Sequence, residues 1–148
     1  MKQKITFILL ITAIYVHSSI VFNLAYSYDT RVLIGQTAES RFGNSIADAG
    51  DINGDGKTDL LVGAYNHYFS TGRVFIYLGN QIFDSIPDLQ ITGEVGNSKF
   101  GYSVTGAGDL NDDGYGDFAV SAPTLQYGTG RVYVYFGSST LDTIPDLI

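Results

Sequence analysis

The sequence contains no cysteine and no tryptophan, and it has only 3 prolines and 8 basic residues against 15 acidic ones. Without cysteine the chain has no disulfide framework, no thiolate metal site and no cysteine nucleophile. Its formal net charge of −7 argues against a nucleic-acid partner, because phosphate binding needs clustered basic side chains. Glycine, tyrosine and phenylalanine are abundant instead (18, 11 and 9 residues). That composition indicates an apolar core interrupted by many turns.

The N-terminal segment 1–27 differs from the rest of the chain. Two lysines precede an apolar run from Ile5 to Val16, and Ala25-Tyr26-Ser27 offers a small-x-small cleavage site before Tyr28. This layout predicts a secretory signal peptide over residues 1–27. The alternative is an uncleaved membrane anchor, although polar residues interrupt the stretch and a span needs about 20 apolar residues. No later stretch is apolar for that length, and both interpretations predict a secreted or cell-surface protein.

A regular internal repeat organises the remaining region, residues 28–148. Phe42-Gly43 recurs as Phe100-Gly101, and Thr71-Gly72-Arg73-Val74 recurs as Thr129-Gly130-Arg131-Val132. The difference in residue number is the same for every match, so there is no insertion or deletion between the copies. We therefore predict a duplicated unit, with a first repeat at about 31–88 and a second at about 89–148.

Each repeat has the composition of short β-strands. Apolar or β-branched runs at 60–62 and 73–78 recur at 118–120 and 131–136, and each second run ends at a glycine. Weaker strands are expected at 44–49, 89–92 and 102–107, and nothing after residue 27 has a helical period. Four short strands joined by glycine-rich turns predict an all-β fold built from two four-stranded β-propeller blades.

An acidic loop follows the first strand of each repeat. Residues 51–59 and 109–117 both read D-x-N-x-D-G-x-x-D. Oxygen side chains at positions 1, 3 and 5 converge in a tight loop, and the glycine at position 6 permits a sharp reversal. An aspartate at position 9 can close the shell of a hard cation, which predicts one Ca²⁺ site per repeat. The candidate side-chain ligands are Asp51, Asn53, Asp55, Asp59, Asp109, Asn111, Asp113 and Asp117.

Other interpretations of the loop fit less well. An EF-hand needs a bidentate glutamate at position 12, whereas that position holds Val62 in the first repeat and Val120 in the second. Mg²⁺ tends to retain its waters and is bound by fewer protein ligands. A solvated turn rich in Asp, Asn and Gly is the remaining alternative.

These residues resemble the FG-GAP repeat, which builds the seven-bladed propeller of integrin α subunits. Phe42-Gly43 and Phe100-Gly101 match its first signature, and Gly63-Ala64-Tyr65 and Ser121-Ala122-Pro123 are imperfect copies of its second. The resemblance implies two structural Ca²⁺ ions, with the Lys57 and Tyr115 carbonyls as further ligands. It also implies an extracellular binding or adhesion module without catalytic activity.

The number of repeats departs from the family, because two are present where a closed propeller has about seven. The chain is therefore expected to be the first portion of a longer propeller or a subunit that self-associates. The expected partner is an extracellular protein or glycan. The alternative is an accessory, non-catalytic propeller part of a carbohydrate-binding or phospholipase-type extracellular enzyme.

The remaining candidate side chains lie between the second and third strands of the repeats. His67 is the only histidine after residue 27, and we expect it to be an exposed loop residue rather than a catalytic base. The aromatic residues here differ between the repeats, as residues of a sugar-binding loop can. We expect local packing to account for them instead. These aromatic residues are Tyr65, Tyr68, Phe69 and Tyr127.

Overall fold

The computed structural model describes residues 10–16, 19–25, 32–79 and 85–148. It divides into two compact units, Met1–Arg31 and Val32–Ile148. In the first unit, β1 (Leu10–Val16) pairs antiparallel with β2 (Ser19–Ala25). The signal peptide predicted for residues 1–27 includes these two strands. Its predicted cleavage position before Tyr28 lies outside the described residues, so the signal peptide stays a prediction.

The first sheet is antiparallel and four-stranded, with three strands from the first predicted repeat and the fourth, at 89–92, from the start of the second. Its strands are β3 (Ser45–Gly50), β4 (Asp59–Ala64), β5 (Arg73–Tyr77) and β6 (Leu89–Thr92), in that spatial order. Val62 of β4 lies opposite Ile46 of β3 and Phe75 of β5. The β-branched and aromatic runs form strands because such side chains pack well on a pleated surface.

The second repeat forms a three-stranded sheet of β7 (Val104–Gly108), β8 (Asp117–Ala122) and β9 (Arg131–Tyr135). The fourth strand expected from the sequence is reduced to a single antiparallel bridge between Val134 and Leu147. The Asp146 N–H donates to the Val134 carbonyl at 2.9 Å, as the Asp88 N–H donates to the Ile76 carbonyl in the first repeat. The second sheet therefore contains the start of the same outer strand.

The all-β class is confirmed, because helical structure in the described residues amounts to two short turns. These turns are α1 (His67–Ser70) and α2 (Leu125–Gly128), which occupy equivalent positions in the two repeats. Each contains two residues with left-handed rather than helical backbone angles, such as Tyr127 at φ 60°. Among the described residues no helix is both long and apolar enough to cross a lipid bilayer.

The main core lies between the two sheets. Leu61, Val74 and Ile76 of the first sheet belong to one buried cluster with Phe100 and Tyr133 of the second repeat. The Phe100 and Tyr133 rings meet edge to face with their centroids 5.3 Å apart. Burial of one large apolar side chain contributes about 1.5–3 kcal/mol. This interface is therefore a major source of stability for the repeat pair.

Glycines allow the backbones of the two repeats to approach each other closely. A Cβ atom on Gly72 would overlap the Phe100 carbonyl oxygen, and one on Gly63 would overlap the Gly101 carbonyl oxygen. Gly72 forms an isolated parallel bridge with Phe100, and the Phe100 N–H donates to the Thr71 carbonyl at 3.1 Å. The junction is therefore a contact between main chains as well as between apolar side chains.

Candidate metal centre

The first acidic loop connects β3 to β4 and is organised around the carboxylate of Asp51. Its Oδ1 accepts the backbone N–H groups of Gly54 (2.7 Å) and Asp55 (3.0 Å), and its Oδ2 accepts that of Gly56 (2.7 Å). Gly54 and Gly56 have φ values of 78° and 83°. Glycine reaches that left-handed region without steric cost. The sequence pattern thus folds locally into a tight loop whose amides point at its first residue.

The other oxygen-bearing residues of this loop form a chain of local hydrogen bonds. Asn53 Oδ1 accepts the Asp55 N–H at 3.0 Å, and Asp55 Oδ1 accepts the Lys57 N–H at 2.9 Å. The Lys57 ammonium lies 3.9 Å from Asp55 Oδ2. Position 5 of the predicted site is therefore linked by hydrogen bonds to each of positions 1, 3 and 7.

The second loop, between β7 and β8, repeats this arrangement. Asp109 accepts the N–H groups of Asp113 (3.0 Å) and Gly114 (2.8 Å), and Asp113 Oδ1 accepts the Tyr115 N–H at 2.9 Å. Asn111 Oδ1 accepts the Asp113 N–H at 3.3 Å, and its Nδ2 donates to Asp113 Oδ2 at 2.9 Å. In both loops the aspartate at position 1 accepts the backbone N–H groups of positions 5 and 6.

The aspartate at position 9 of each loop is buried and anchors the loop to the sheet. Asp59 is 1% exposed and Asp117 is 0% exposed. Asp59 Oδ2 accepts the Ile52 N–H at 2.9 Å, and Asp117 Oδ2 accepts the Leu110 N–H at 2.6 Å. These charge-assisted bonds satisfy carboxylates that would be costly to bury alone.

Burial raises the pKa of Asp59 above its usual value, because it penalises the charged form. The N–H groups of Gly79 and Ile52 act in the opposite direction, and the charges of Asp55 and Asp51 raise the pKa further. The carboxylates of Asp51 and Asp55 are therefore close enough to Asp59 to disfavour its charged form. A bound cation would relieve that repulsion.

The loops fit a hard cation by their donor chemistry, since every predicted ligand is an oxygen. In residues 32–79 and 85–148, however, no three His, Cys, Asp or Glu side chains are already grouped to hold a metal ion. Several of the predicted ligand oxygens instead accept loop amides. A carboxylate oxygen has about two lone-pair positions, so an oxygen that accepts one amide, such as Asp51 Oδ2, can offer the other position to Ca²⁺. Asp51 Oδ1 already accepts two amides.

His67 is not the exposed loop residue that the sequence suggested. It is 8% exposed, and its Nδ1 has no hydrogen-bond partner among the residues that the structure describes. Burial lowers its pKa, and the nearby positive charge of Arg73 lowers it further. Its equivalent in the second repeat is Leu125, which is also buried. That equivalence was the available signal that this position faces inward.

The aromatic residues of the same loops behave differently from one another. Tyr65 packs against the second repeat, with its ring centroid 5.2 Å from that of Tyr102. Tyr68, Phe69 and Tyr127 are exposed, although the Tyr68 and Phe69 rings pack against each other with their centroids 5.1 Å apart. Tyr127 lies at a cavity of about 510 Å³. Polar residues in its lining are Glu94, Asn97, Thr124, Gln126 and Arg131.

The described region thus defines a class: stacked antiparallel repeats with an oxygen-rich loop between the first and second strands of each. The FG-GAP repeat family matches residues 42–77 and 100–135, which include the Phe-Gly pair, the acidic loop and the three inner strands of each repeat. The chain belongs to the FG-GAP repeat family, and its two sheets are blades of the β-propeller type.

The curated relatives of the chain include integrin α subunits. It is 41% identical over 119 residues to integrin alpha-IIb of Mus musculus, which covers 72% of this chain and 11% of that protein. It is 43% identical over 117 residues to integrin alpha-3 of Cricetulus griseus, covering 74% and 11% of the two chains. Integrin alpha-5 of Xenopus laevis is 37% identical over 134 residues, covering 78% and 13%. The chain therefore spans about a tenth of the length of these relatives.

Proposed function

We propose that this chain is a Ca²⁺-stabilised part of an exported β-propeller that binds an extracellular ligand and does not catalyse a reaction. The observation that carries the proposal is the recurrence of one oxygen-rich loop, with the same carboxylate-to-amide bonds, at the same place in both repeats. Two similar loops on stacked blades are best explained by a common structural role.

Each loop would hold one Ca²⁺ ion. Three side-chain oxygens of the loop, the carbonyl at position 7 and the carboxylate at position 9 supply the coordination. The ion would neutralise part of the acidic charge and make the loop rigid. The proposed ligands are Asp51, Asn53, Asp55, the Lys57 carbonyl and Asp59 for one site, and Asp109, Asn111, Asp113, the Tyr115 carbonyl and Asp117 for the other.

The proposal that the chain is part of a propeller is supported by a difference in exposure between equivalent faces of the two sheets. Val74 is 0% exposed where the second sheet covers it, whereas Val132, its counterpart in the second repeat, is 54% exposed. A third repeat on the second sheet would bury Val132 as the second repeat buries Val74. That repeat could belong to the same chain or to a second copy that self-associates.

The extracellular part is supported by the leader-like residues 1–27 and by the similarity to integrin α subunits. We infer that the protein is secreted or displayed at the cell surface, where Ca²⁺ is abundant enough to fill weak sites. The ligand would be an extracellular protein or a glycan.

The test is a calorimetric titration of Ca²⁺ into chelator-treated protein, paired with thermal unfolding at increasing Ca²⁺. We expect saturable binding of two ions, with about 2.7 kcal/mol of stabilisation per site once free Ca²⁺ reaches ~100 times the dissociation constant. An Asp51→Asn, Asp109→Asn variant should lose most of the heat. Absence of saturable heat and of thermal stabilisation in the unmodified chain would contradict the proposal.

A second candidate, a glycan-binding module, is favoured by the cavity beside Tyr127. A fully exposed aromatic ring next to amide and charged side chains offers both a stacking surface and hydrogen bonds to a sugar. Glycan-array binding should be lost in Tyr127→Ala and retained in Phe69→Ala, which alters the equivalent position of the first repeat. Unchanged binding in both variants, or no binding by the unmodified chain, would exclude this candidate.

A further inference from the structure

The two acidic loops are in direct contact with each other. The Gly116 N–H, at position 8 of the second loop, donates to the carbonyl of Asp51, at position 1 of the first loop, at 2.8 Å. Just beyond β9, the Ser138 N–H donates to the Ile52 carbonyl at 2.9 Å. The first loop is therefore held from outside at its first two residues.

The side chain of Tyr115 adds a second contact. A Cβ atom on Gly54 would lie 2.6 Å from Tyr115 Cε1, so the ring lies against the backbone of the first loop. The Gly54 N–H is one of the amides bound by Asp51. Tyr115 therefore covers the turn that orients the Asp51 carboxylate.

Gly116 permits this close approach because it has no side chain. A Cβ atom there would lie 2.8 Å from the Ala49 carbonyl oxygen and 3.2 Å from the Asp51 nitrogen. The equivalent residue of the first loop is Thr58, and Lys57 occupies the position equivalent to Tyr115. The two loops thus differ at the positions through which the second loop contacts the first.

We propose that Tyr115 and Gly116 are positioning residues for the cation site of the first loop, and that they couple the two sites. This inference rests on the proposed function. Tyr115 also supplies the proposed carbonyl ligand of the second loop, so a cation bound there would fix the Tyr115–Gly116 segment. The Asp51 backbone and the Gly54 turn are then ordered before their own cation arrives. A site that is already ordered loses less conformational entropy on binding, so each ion raises the affinity for the other.

The first experiment measures Ca²⁺ binding to the full chain by calorimetry after chelation. In an Asp109→Asn, Asp113→Asn variant, only the first site remains. We expect its dissociation constant to be at least about fivefold higher than that of the same site in the unmodified chain. Equal constants would overturn the coupling.

The second experiment exchanges residues between the loops without removing a proposed ligand. Tyr115→Lys keeps the carbonyl at position 7 and should weaken the first site by a similar factor. Tyr115→Phe keeps the ring against Gly54; it is the matched control and should leave the affinity of the first site unchanged. In an Asp51→Asn background, which reports the second site alone, Tyr115→Lys should have little effect. A loss confined to the second site would overturn the positioning role.

A third measurement does not depend on metal. In chelator, hydrogen exchange of the Gly54, Asp55 and Gly56 amides should be faster in Tyr115→Lys and in Gly116→Thr than in the unmodified chain. Unchanged exchange would overturn the inference. If the unmodified chain binds no Ca²⁺, both the proposed function and this inference are wrong. If it binds two Ca²⁺ ions independently, only the coupling is wrong.

Discussion

Asp59 accepts the backbone N–H of Gly79 through Oδ1 at 2.7 Å, and the same bond recurs in the second repeat between Asp117 and Gly137 at 2.9 Å. Since the Oδ2 atom of Asp59 binds the Ile52 N–H, one carboxylate joins the start of the acidic loop to the segment just beyond β5. The last acid of the loop is therefore a structural tie within the sheet, whether or not it also contacts a cation.

This tie predicts a large loss of stability that does not require metal. Asp59→Ala removes two charge-assisted hydrogen bonds and leaves the buried Ile52 N–H and the half-buried Gly79 N–H without this acceptor. In chelator, urea denaturation should show the free energy of unfolding reduced by about 2–5 kcal/mol. Asp117→Ala should have a comparable effect in the second repeat.

The control for that prediction is Asp55→Ala, because Asp55 is exposed and its oxygens accept only local amides. In chelator it should change the free energy of unfolding by less than about 1 kcal/mol. Similar losses for Asp55→Ala and Asp59→Ala would show that Asp59 does not act as a structural tie.

Alanine substitutions at two glycines with similar φ angles should distinguish the cost of steric overlap from the cost of a left-handed backbone. Gly72 (φ 85°) touches the Phe100 backbone, whereas a Cβ atom on Gly43 (φ 82°) would meet no other atom within 4 Å. Both alanine variants should lose about 1–2 kcal/mol from the left-handed conformation. Gly72→Ala should lose about 1–3 kcal/mol more from overpacking. Urea unfolding curves measure both, and equal losses would contradict the close junction.

Because one sheet face is buried and its equivalent in the second sheet is exposed, the same valine-to-alanine substitution should change stability by different amounts. Val74→Ala removes buried methyl groups from the interface and should lower the free energy of unfolding by about 2 kcal/mol. Val132→Ala, at the equivalent exposed position, should change it by less than about 0.5 kcal/mol. A loss of similar size at Val132 would mean that another molecule already covers this face of the second sheet in solution. Light scattering would then show whether the chain self-associates.

Buried His67 predicts a pH-dependent loss of stability on the acidic side. Its pKa in the folded chain is lowered below the usual 6.5 by burial and then by Arg73, so the unfolded state binds the proton more readily. As pH falls below about 6.5, protonation of the unfolded chain favours unfolding until the folded pKa is reached.

The variant that isolates this contribution is His67→Leu, which introduces the residue found at the equivalent position 125. We expect the stability difference in favour of His67→Leu to be larger at pH 5.5 than at pH 7.5 in urea titrations. The carboxylates are common to both proteins and cancel in the comparison. A difference that does not depend on pH would contradict a buried, neutral histidine.

The sequence predicts most of the strands because their signals are local. The apolar run at 60–62 lies in β4, and β5 covers residues 73–77 of the predicted run 73–78. The weak segment 89–92 coincides with β6. The outer strand of the second repeat is shorter than expected, since only Leu147 reaches Val134. The inward orientation of His67 and the exposure of Tyr68 depend on how each turn meets the sheet, which residue type alone does not specify.

The sequence predicts the local structure of the candidate site but not its contacts with the other repeat. Alternating Asp, Asn and Gly residues predict a tight loop with oxygens directed inward, and the hydrogen bonds of Asp51 agree with that prediction. The contact of Tyr115 with Gly54 joins loops that belong to different repeats, and no local pattern encodes it. Its trace in the sequence is that positions 7 and 8 change from Lys57-Thr58 to Tyr115-Gly116 between the two loops.

The glycine junction between the repeats bears on how such a chain can evolve. Where main chains meet at Gly63–Gly101 and Gly72–Phe100, the spacing of neighbouring units depends on a few positions that must stay small. Exposed side chains such as those of Phe69 and Tyr127 point away from these close main-chain contacts. Duplicated units can therefore acquire different recognition surfaces by drift without losing the geometry that stacks them.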